Sequence, residues 1–281
     1  TYMEIKIAKN AGFCFGVKRA MQMASDELDD KSTEVYSLGP LIHNKQAVSK
    51  YEEKGLKVVE EIENIPSNER VIIRSHGVGE IVYNEAENKS VKIVDTTCPY
   101  VKKIHKIVND FYKKGYKIII IGNKIHPEVV GINGWCENSA IVIKNVDDID
   151  NTGFYKDAKY CVVSQTTVDI DNYEKIVEKL NSILKDTVMK NTICSATKER
   201  QLSAKNLAKE VDCMIVIGGK HSSNTQKLVN ICKDLTNTFA IETKDELNKE
   251  ELKNYKSIGI TAGASTPDWI ISEVIEFLES I

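Results

Sequence analysis

The chain has 281 residues, 38 basic and 41 acidic side chains and a formal net charge of −3. This length allows more than one domain, and the near-balanced charge argues against a surface for nucleic acid. No apolar run approaches the roughly 20 residues of a membrane span. The seven cysteines, an odd number, do not suggest a disulfide framework. We therefore predict a cytoplasmic protein with reduced thiols.

Helix-like and strand-like segments alternate along the chain. Apolar residues recur at helix spacing over 16–31, over 99–114 and again from Leu202 to Val211. Within the second of these helices, His105 lies among lysines, and we predict that it is at the surface. Short β-branched runs, typical of buried strands, cover 71–73, 117–121, 161–163, 214–217 and 258–260. The alternation predicts an α/β protein with parallel sheets.

Three cysteines occupy equivalent places in a repeat. Cys14, Cys98 and Cys194, which we call the helix-start cysteines, are each followed by two residues, then Val or Thr, then Lys, and each precedes a helix-like segment. Their intervals match the size of a small α/β domain. We predict three related domains, each contributing one thiol: residues 1–97 with 268–281, residues 98–193 and residues 194–267.

The repeated thiols suggest a metal centre. Soft thiolates select zinc, copper(I) or iron–sulfur clusters. Structural zinc normally takes four protein ligands, often from paired C-x-x-C motifs, and the sequence has no such pair. A 4Fe–4S cluster held by three cysteines, with one iron open as a Lewis acid, is therefore favoured over zinc. The other four cysteines lie in or beside apolar runs and are predicted to be buried: Cys136, Cys161, Cys213 and Cys232.

Polar side chains follow the predicted strands in two repeated sets. One set comprises 39–43, 122–126 and 218–222, and the other comprises 74–77, 164–167 and 263–266. Ligands of open α/β sheets bind beyond the carboxyl ends of strands. Hydroxyl, amide and imidazole donors at helix starts suit phosphate oxygens, which predicts an anion site built from His43, His76, His126, Ser222, Ser223, Asn224 and Ser265. Residues 222–225 also fit an ordinary helix cap.

Glu128 follows the loop 122–126 by two residues, which places a carboxyl group beside the predicted cluster and anion site, and it is therefore the candidate proton donor. The alternative is structural, because Pro127 followed by an acidic residue is a common helix start. The sequence contains neither a P-loop nor a G-x-G-x-x-G motif, so a nucleotide ligand is not indicated.

Together and in this order, the motifs resemble the LytB/IspH family of 4-hydroxy-3-methylbut-2-enyl diphosphate reductases over essentially the whole chain. Any one of them alone would be a weak signal. The matching segments are Gly12-Phe-Cys-Phe-Gly-Val, Arg74-Ser-His-Gly, Asp95-Thr-Thr-Cys-Pro, His126-Pro-Glu-Val, Ser164-Gln-Thr-Thr, Thr192-Ile-Cys, Gly218-Gly through Ser222-Ser-Asn, and Gly263-Ala-Ser-Thr-Pro.

The resemblance implies a trefoil of three small α/β domains around a central 4Fe–4S cluster, with the helix-start cysteines as ligands. It implies reductive removal of an allylic hydroxyl to give isopentenyl and dimethylallyl diphosphate, the last step of the methylerythritol phosphate route. Ferredoxin or flavodoxin would supply the electrons. Glu128, Thr166 and His126 would serve catalysis. The substrate-binding residues implied are His43, His76, His126, Thr166, Thr167, Ser222, Ser223, Asn224 and Ser265.

Two other readings stay open. An iron–sulfur hydro-lyase acting on a phosphorylated substrate would also use three cysteines and an open iron, but it would need no electron donor. A cluster-bearing redox or regulatory protein would bind a phosphate ligand without turnover. Only the reductase consumes electrons in proportion to the allylic diphosphate.

Overall fold

A computed structural model of the chain describes residues 3–281. Residues 1 and 2, with which the first predicted domain begins, lie outside the described residues. The described chain forms three four-stranded sheets joined through helices. Every strand pairing recorded in this part of the chain is parallel. The predicted α/β class with parallel sheets is confirmed.

The strands and helices alternate in chain order. The strands are β1 (Glu4–Ile7), β2 (Val35–Leu38), β3 (Lys57–Val59), β4 (Arg70–Ile73), β5 (Lys92–Asp95), β6 (Lys117–Ile121), β7 (Ile141–Ile143), β8 (Tyr160–Ser164), β9 (Thr187–Met189), β10 (Cys213–Ile217), β11 (Asn237–Ile241) and β12 (Ser257–Ala262). The helices are α1 (Phe15–Asp29), α2 (Lys45–Glu53), α3 (Glu80–Asn88), α4 (Pro99–Lys113), α5 (Pro127–Asn133), α6 (Val146–Asp150), α7 (Ile170–Ile183), α8 (Ser195–Ala208), α9 (Ser223–Lys233), α10 (Lys249–Leu252) and α11 (Asp268–Glu279).

The three sheets share one plan. Their strand orders are β1-β12-β10-β11, β3-β2-β4-β5 and β7-β6-β8-β9. In each sheet, the two inner strands end at the loops of the two repeated polar sets. One edge strand of each sheet, β1, β5 or β9, is the last strand before a helix-start cysteine. Because the strands of each sheet are parallel, the loops and the cysteine segment leave the same edge of that sheet.

The described residues divide into two compact units. Unit 1 contains residues 3–18, 42–51 and 195–281, with the sheet of β1 and β10–β12. Unit 2 contains residues 19–41 and 52–194, with the other two sheets. The three-domain boundaries that we predict from the repeat stay a prediction.

Buried aliphatic strands explain the two-sided packing of the sheets. In unit 1, Ile215 and Ile260 pack with α11, while Met214 and Val216 pack with α8 and α9 on the other face. In unit 2, Ile119 packs with α7 through Ile176 and Leu180, while other side chains of β6 and β8 pack with α4 and α5. None of the helices in the described chain is long and apolar enough to cross a membrane.

One expectation about exposure is wrong. His105 is only 4% exposed, because positions 101, 104, 105 and 108 share the buried face of α4. Its lysine neighbours in sequence lie on other faces of the helix. The expectation for the four non-repeat cysteines is confirmed, since each is fully buried.

Candidate functional site

A buried carboxyl group lies at the start of α5 in unit 2. Glu128 accepts two hydrogen bonds from Thr166, one from the backbone N–H to Oε1 and one from the hydroxyl to Oε2, both at 2.7 Å. Glu128 is 3% exposed. Thr166 follows β8, whose neighbour β6 leads through the loop 122–126 into α5. Adjacent parallel strands therefore bring the two residues together although 38 positions separate them.

Burial raises the pKa of Glu128 to about 7, although both hydrogen bonds from Thr166 favour the charged form. Desolvation is the largest cause, because a carboxylate loses most of its hydration in a buried position. A carboxyl group with this pKa is partly protonated near neutral pH. It can therefore give up or take a proton under conditions in which an ordinary glutamate is fully ionised.

Two imidazoles lie beside this carboxyl group. The Nδ1 of His126 accepts the backbone N–H of Glu128 at 3.2 Å, so His126 caps α5. A neutral imidazole that accepts at Nδ1 carries its proton on Nε2. The rings of His76 and His126 meet edge to face, with centroids 5.4 Å apart. The loops after β4 and β6 therefore bring these two predicted residues together within unit 2.

The loop that carries His76 is supported from behind by two aromatic rings. The indole N–H of Trp135 donates to the carbonyl of Val78 at 2.9 Å. The imidazole of His105 stacks on Trp135, with ring centroids 5.3 Å apart, and packs directly against Gly77. Burial lowers the pKa of His105 to about 4, so this ring is neutral at physiological pH.

Gln165 connects the loops after β6 and β8. Its Oε1 accepts the backbone N–H of Asn123 at 3.1 Å, and its Nε2 donates to the hydroxyl of Thr167 at 3.0 Å. It is buried. Gln165 lies inside the matching segment 164–167, but the motifs alone assign it no role. Its residue type could have suggested this linking role, because an amide side chain can donate and accept hydrogen bonds at the same time.

Two helix-start cysteines lie in unit 2, next to the same loops. Cys98 is the residue before Pro99, the first residue of α4, and its N–H donates to the carbonyl of Ser75 at 3.0 Å. Cys194 directly precedes α8, and its N–H donates to the carbonyl of Thr166 at 3.2 Å. The structure therefore places each of these cysteines against a strand-end loop that carries predicted site residues.

Unit 1 gathers its predicted residues around the start of α9. Ser222 caps this helix by accepting the N–H of Thr225 at 3.3 Å, as the alternative cap reading expects. Its hydroxyl hydrogen still allows it to donate. The Oδ1 of Asn224 accepts the N–H of Ala264 at 2.8 Å, which joins α9 to the loop that contains Ser265. These side chains are buried.

His43 belongs to the same unit. Gly219 lies against the backbone carbonyl of His43, and a Cβ at this glycine would overlap that oxygen. The turn before α9 and the segment of His43 are therefore in contact. Cys14 lies between β1 and α1, and its carbonyl accepts the N–H of Lys18 at 2.9 Å in the first turn of α1.

The predicted site residues thus form two groups, each within one unit. Unit 1 contains Cys14, His43, Ser222, Ser223, Asn224 and Ser265, and unit 2 contains His76, Cys98, His126, Glu128, Thr166, Thr167 and Cys194. No two of the seven cysteines in the described chain form a disulfide bond. The helix-start cysteines are partly exposed, whereas the other four are buried.

Comparison with known proteins identifies the family. A sequence model of the LytB protein matches residues 5–279. The chain belongs to the LytB family. It is 65% identical over 279 residues to the 4-hydroxy-3-methylbut-2-enyl diphosphate reductase of Clostridioides difficile, which covers 99% of this chain and all of that protein. The resemblance inferred from the motifs is therefore confirmed.

Two solved structures are similar to this LytB-family chain. One is the (E)-1-hydroxy-2-methyl-but-2-enyl-4-diphosphate reductase of Plasmodium falciparum, with a TM-score of 0.92, 30% identity and coverage of 99% of this chain and 88% of that one. The other is (E)-4-hydroxy-3-methyl-but-2-enyl diphosphate reductase, the terminal enzyme of the non-mevalonate pathway. Its TM-score is 0.74, with 41% identity over 99% of this chain and all of that one.

Proposed function

We propose that this LytB-family chain is a 4-hydroxy-3-methylbut-2-enyl diphosphate reductase. The relative that is 65% identical to this chain has this name, and the match covers its full length. The observation that carries the chemistry is the buried pair of Glu128 and Thr166, with a carboxyl pKa of about 7. The reaction uses two electrons and two protons to convert the allylic alcohol into isopentenyl or dimethylallyl diphosphate and water.

The donor set fits an iron–sulfur cluster. The LytB family is an iron–sulfur enzyme family. The three helix-start cysteines are partly exposed and lie at equivalent helix starts, whereas burial raises the pKa of Cys161 and of Cys232 to about 11. Those buried groups remain thiols and are poor ligands. We propose that the helix-start cysteines hold one 4Fe–4S cluster, which when bound supplies electrons and one iron position open to the substrate oxygen.

Glu128 supplies a proton to the departing hydroxyl. Each of its oxygens accepts one hydrogen bond from Thr166, so the acid proton occupies a remaining lone-pair position. The Thr166 hydroxyl donates to Glu128 and keeps its own lone pairs for the substrate hydroxyl. The hydrogen bond to Thr166 fixes the direction in which the proton is offered. A positioned acid of this kind is worth about 10²–10⁴-fold in rate.

The diphosphate is bound by neutral donors at strand-end loops. Protonated Nε2 of His126 and the hydroxyl of Ser222 are donors of the required kind, and the NH₂ group of Asn224 remains a donor because its oxygen accepts from Ala264. The start of the eleven-residue helix α9 adds backbone N–H groups. The complete set proposed is His43, His76, His126, Thr166, Thr167, Ser222, Ser223, Asn224 and Ser265.

We also propose that ferredoxin or flavodoxin is the electron donor. We propose a cytoplasmic location as well, because the seven cysteines, an odd number, do not suggest a disulfide framework.

An anaerobic assay with a reduced viologen dye and the allylic diphosphate tests the function. The expected result is oxidation of two equivalents of one-electron dye for each substrate consumed, with five-carbon diphosphates as products. Consumption of substrate without dye oxidation would instead identify a hydro-lyase. Iron binding with no consumption of substrate would indicate a redox or regulatory protein.

Glu128→Gln and Glu27→Gln form a matched pair for the proposed acid. Glu128→Gln keeps the shape of the side chain and removes the transferable proton, so turnover should fall while iron content stays unchanged. Glu27 is a partly buried carboxylate that binds Arg70 at 2.8 Å, away from the strand-end loops. Equal turnover in the two variants would refute the role of Glu128.

A further inference from the structure

A buried arginine in unit 1 is hydrogen-bonded to the loop that leads to Cys14. Arg200 lies on α8 and is 2% exposed. Its Nε donates to the carbonyl of Asn10 at 2.8 Å, and its Nη2 donates to the carbonyl of Gly12 at 2.9 Å. Nη1 is directed at the carbonyl of Ala196 in its own helix at 3.3 Å. The guanidinium therefore ties the loop between β1 and α1 to α8.

This loop depends on outside partners because of its backbone path. Asn10 and Gly12 both have positive φ angles, 60° and 92°, so the backbone leaves the extended path of β1 before α1 begins. Two of its N–H groups donate to β12, from Ala8 to Ile260 at 2.8 Å and from Gly12 to Ala262 at 3.2 Å. Arg200 binds the carbonyls of Asn10 and Gly12. Gly12 is buried, and its backbone groups need such partners.

Gly12 has little freedom to move within this arrangement. A Cβ on this residue would lie 2.9 Å from the side chain of Ile271 and 3.1 Å from the carbonyl of Thr266. The loop therefore packs against Ile271 and Thr266 on one side and is hydrogen-bonded to the guanidinium of Arg200 on another. Cys14 follows two residues later, at the entrance to α1. The loop therefore leads the backbone directly into the position of Cys14.

We propose that Arg200 is a positioning residue that fixes the Cys14 thiolate for the cluster by holding the carbonyls of the preceding loop. The inference rests on the cluster proposed above. A planar guanidinium has several donors in a fixed geometry, which a lysine cannot reproduce. Loss of residues that orient metal ligands typically lowers metal affinity or activity by about 10- to 100-fold.

Arg200→Lys is the test variant, and Arg70→Lys is its matched control. Arg70 is also 2% exposed, and it donates to the carbonyls of Glu27, Asp30 and Thr33 in unit 2. Both substitutions keep a positive charge and disturb a buried arginine that binds carbonyls. Anaerobically reconstituted protein is challenged with an iron chelator. Arg200→Lys is expected to release iron about 10- to 100-fold faster than wild type, whereas Arg70→Lys stays within about twofold.

Alkylation of individual thiols distinguishes positioning from general destabilisation. Iodoacetamide labelling of the reconstituted variant, followed by peptide mass spectrometry, should modify Cys14 before Cys98 and Cys194. A protein that was merely less stable would expose all three at similar rates. Equal labelling of the three cysteines, or iron release in Arg200→Lys within twofold of Arg70→Lys, would overturn the proposal.

A wild-type chain that binds no iron would refute the cluster, and with it the ligand role of Cys14. Hydrogen exchange of residues 8–14 in that protein then shows separately whether Arg200 orders the loop. The expected result is faster exchange at the Gly12 amide in Arg200→Lys than in Arg70→Lys. An unchanged rate would remove the positioning role of Arg200 as well.

Discussion

Glu128→Gln should make the stability of this protein less sensitive to a rise in pH between about 4.5 and 7. The pKa of Glu128 is raised from 4.5 to about 7 by burial. Between these values the folded chain holds a proton that the unfolded chain has lost, so the free energy of unfolding falls as pH rises. One pKa unit corresponds to about 1.4 kcal/mol, which gives a penalty of about 3 kcal/mol above pH 7. Glutamine carries no such penalty.

The carboxamide can retain both contacts with Thr166. Its oxygen can accept the backbone N–H, and its NH₂ group can donate to the Thr166 hydroxyl in the place of the second carboxyl oxygen. The variant should therefore resemble wild type in stability near pH 4.5 and exceed it by up to about 3 kcal/mol at pH 8. At the same time, turnover should fall by about 10²-fold or more.

Urea unfolding of the anaerobically purified proteins at pH 5, 6, 7 and 8 measures this difference. The comparison is between Glu128→Gln and wild type at each pH, so other titrating groups cancel. Glu27→Gln provides the control, and its difference from wild type should not increase in favour of the variant as pH rises from 5 to 8. A Glu128→Gln difference that is the same at all four pH values would refute the raised pKa.

Three further predictions concern other parts of the chain. Serine at any one of the helix-start cysteines should remove most bound iron and all turnover, whereas Cys232→Ala, at a buried thiol, should keep full iron content in the same colorimetric analysis. Asn224→Ala should raise KM about 10- to 150-fold with cluster content unchanged, while Asn248→Ala, which removes a helix cap of α10 in the same unit, should leave KM unchanged in steady-state assays. His105→Gln should abolish the part of acid destabilisation that arises between pH 6.5 and 4, because burial lowers the pKa of His105 to about 4. Thermal unfolding measured across this range would contradict the prediction if the stability of the variant changed with pH as the wild type's does.

The sequence predicts the strand-end loops well because their signals are local. β-branched runs mark the inner strands, and a glycine or polar residue follows each one directly, as Gly122 follows β6 and Gly218 follows β10. Parallel pairing then places such residues at one edge of a sheet. No pairwise contact has to be known to make this inference. The buried state of Cys161 and Cys232 is predictable for the same reason, since each lies in a locally apolar segment.

Contacts between residues far apart in the sequence cannot be predicted from local sequence patterns. The pairing of β1 with β12 joins segments about 250 residues apart, and nothing in the four residues of β1 specifies that partner. The burial of His105 was accessible from its helix spacing, but its stacking on Trp135 depends on a turn that follows α5. Arg200 appears as one more charged residue on a polar helix until the carbonyls of the loop before Cys14 are seen to require donors.

The opposite pKa shifts of Glu128 and His105 offset one another in unit 2. Between about pH 4.5 and 6.5, folding takes up a proton at Glu128, whose pKa is raised to about 7, and releases one at His105, whose pKa is lowered to about 4. The two slopes are equal in size and opposite in sign, so together they add almost no pH dependence to stability in this range. One buried acid can therefore stay protonated for chemistry while one buried imidazole stays neutral behind the His76 loop. Because the two contributions cancel within this range rather than vanish, either single substitution should reveal a pH dependence of stability that the wild-type chain does not show.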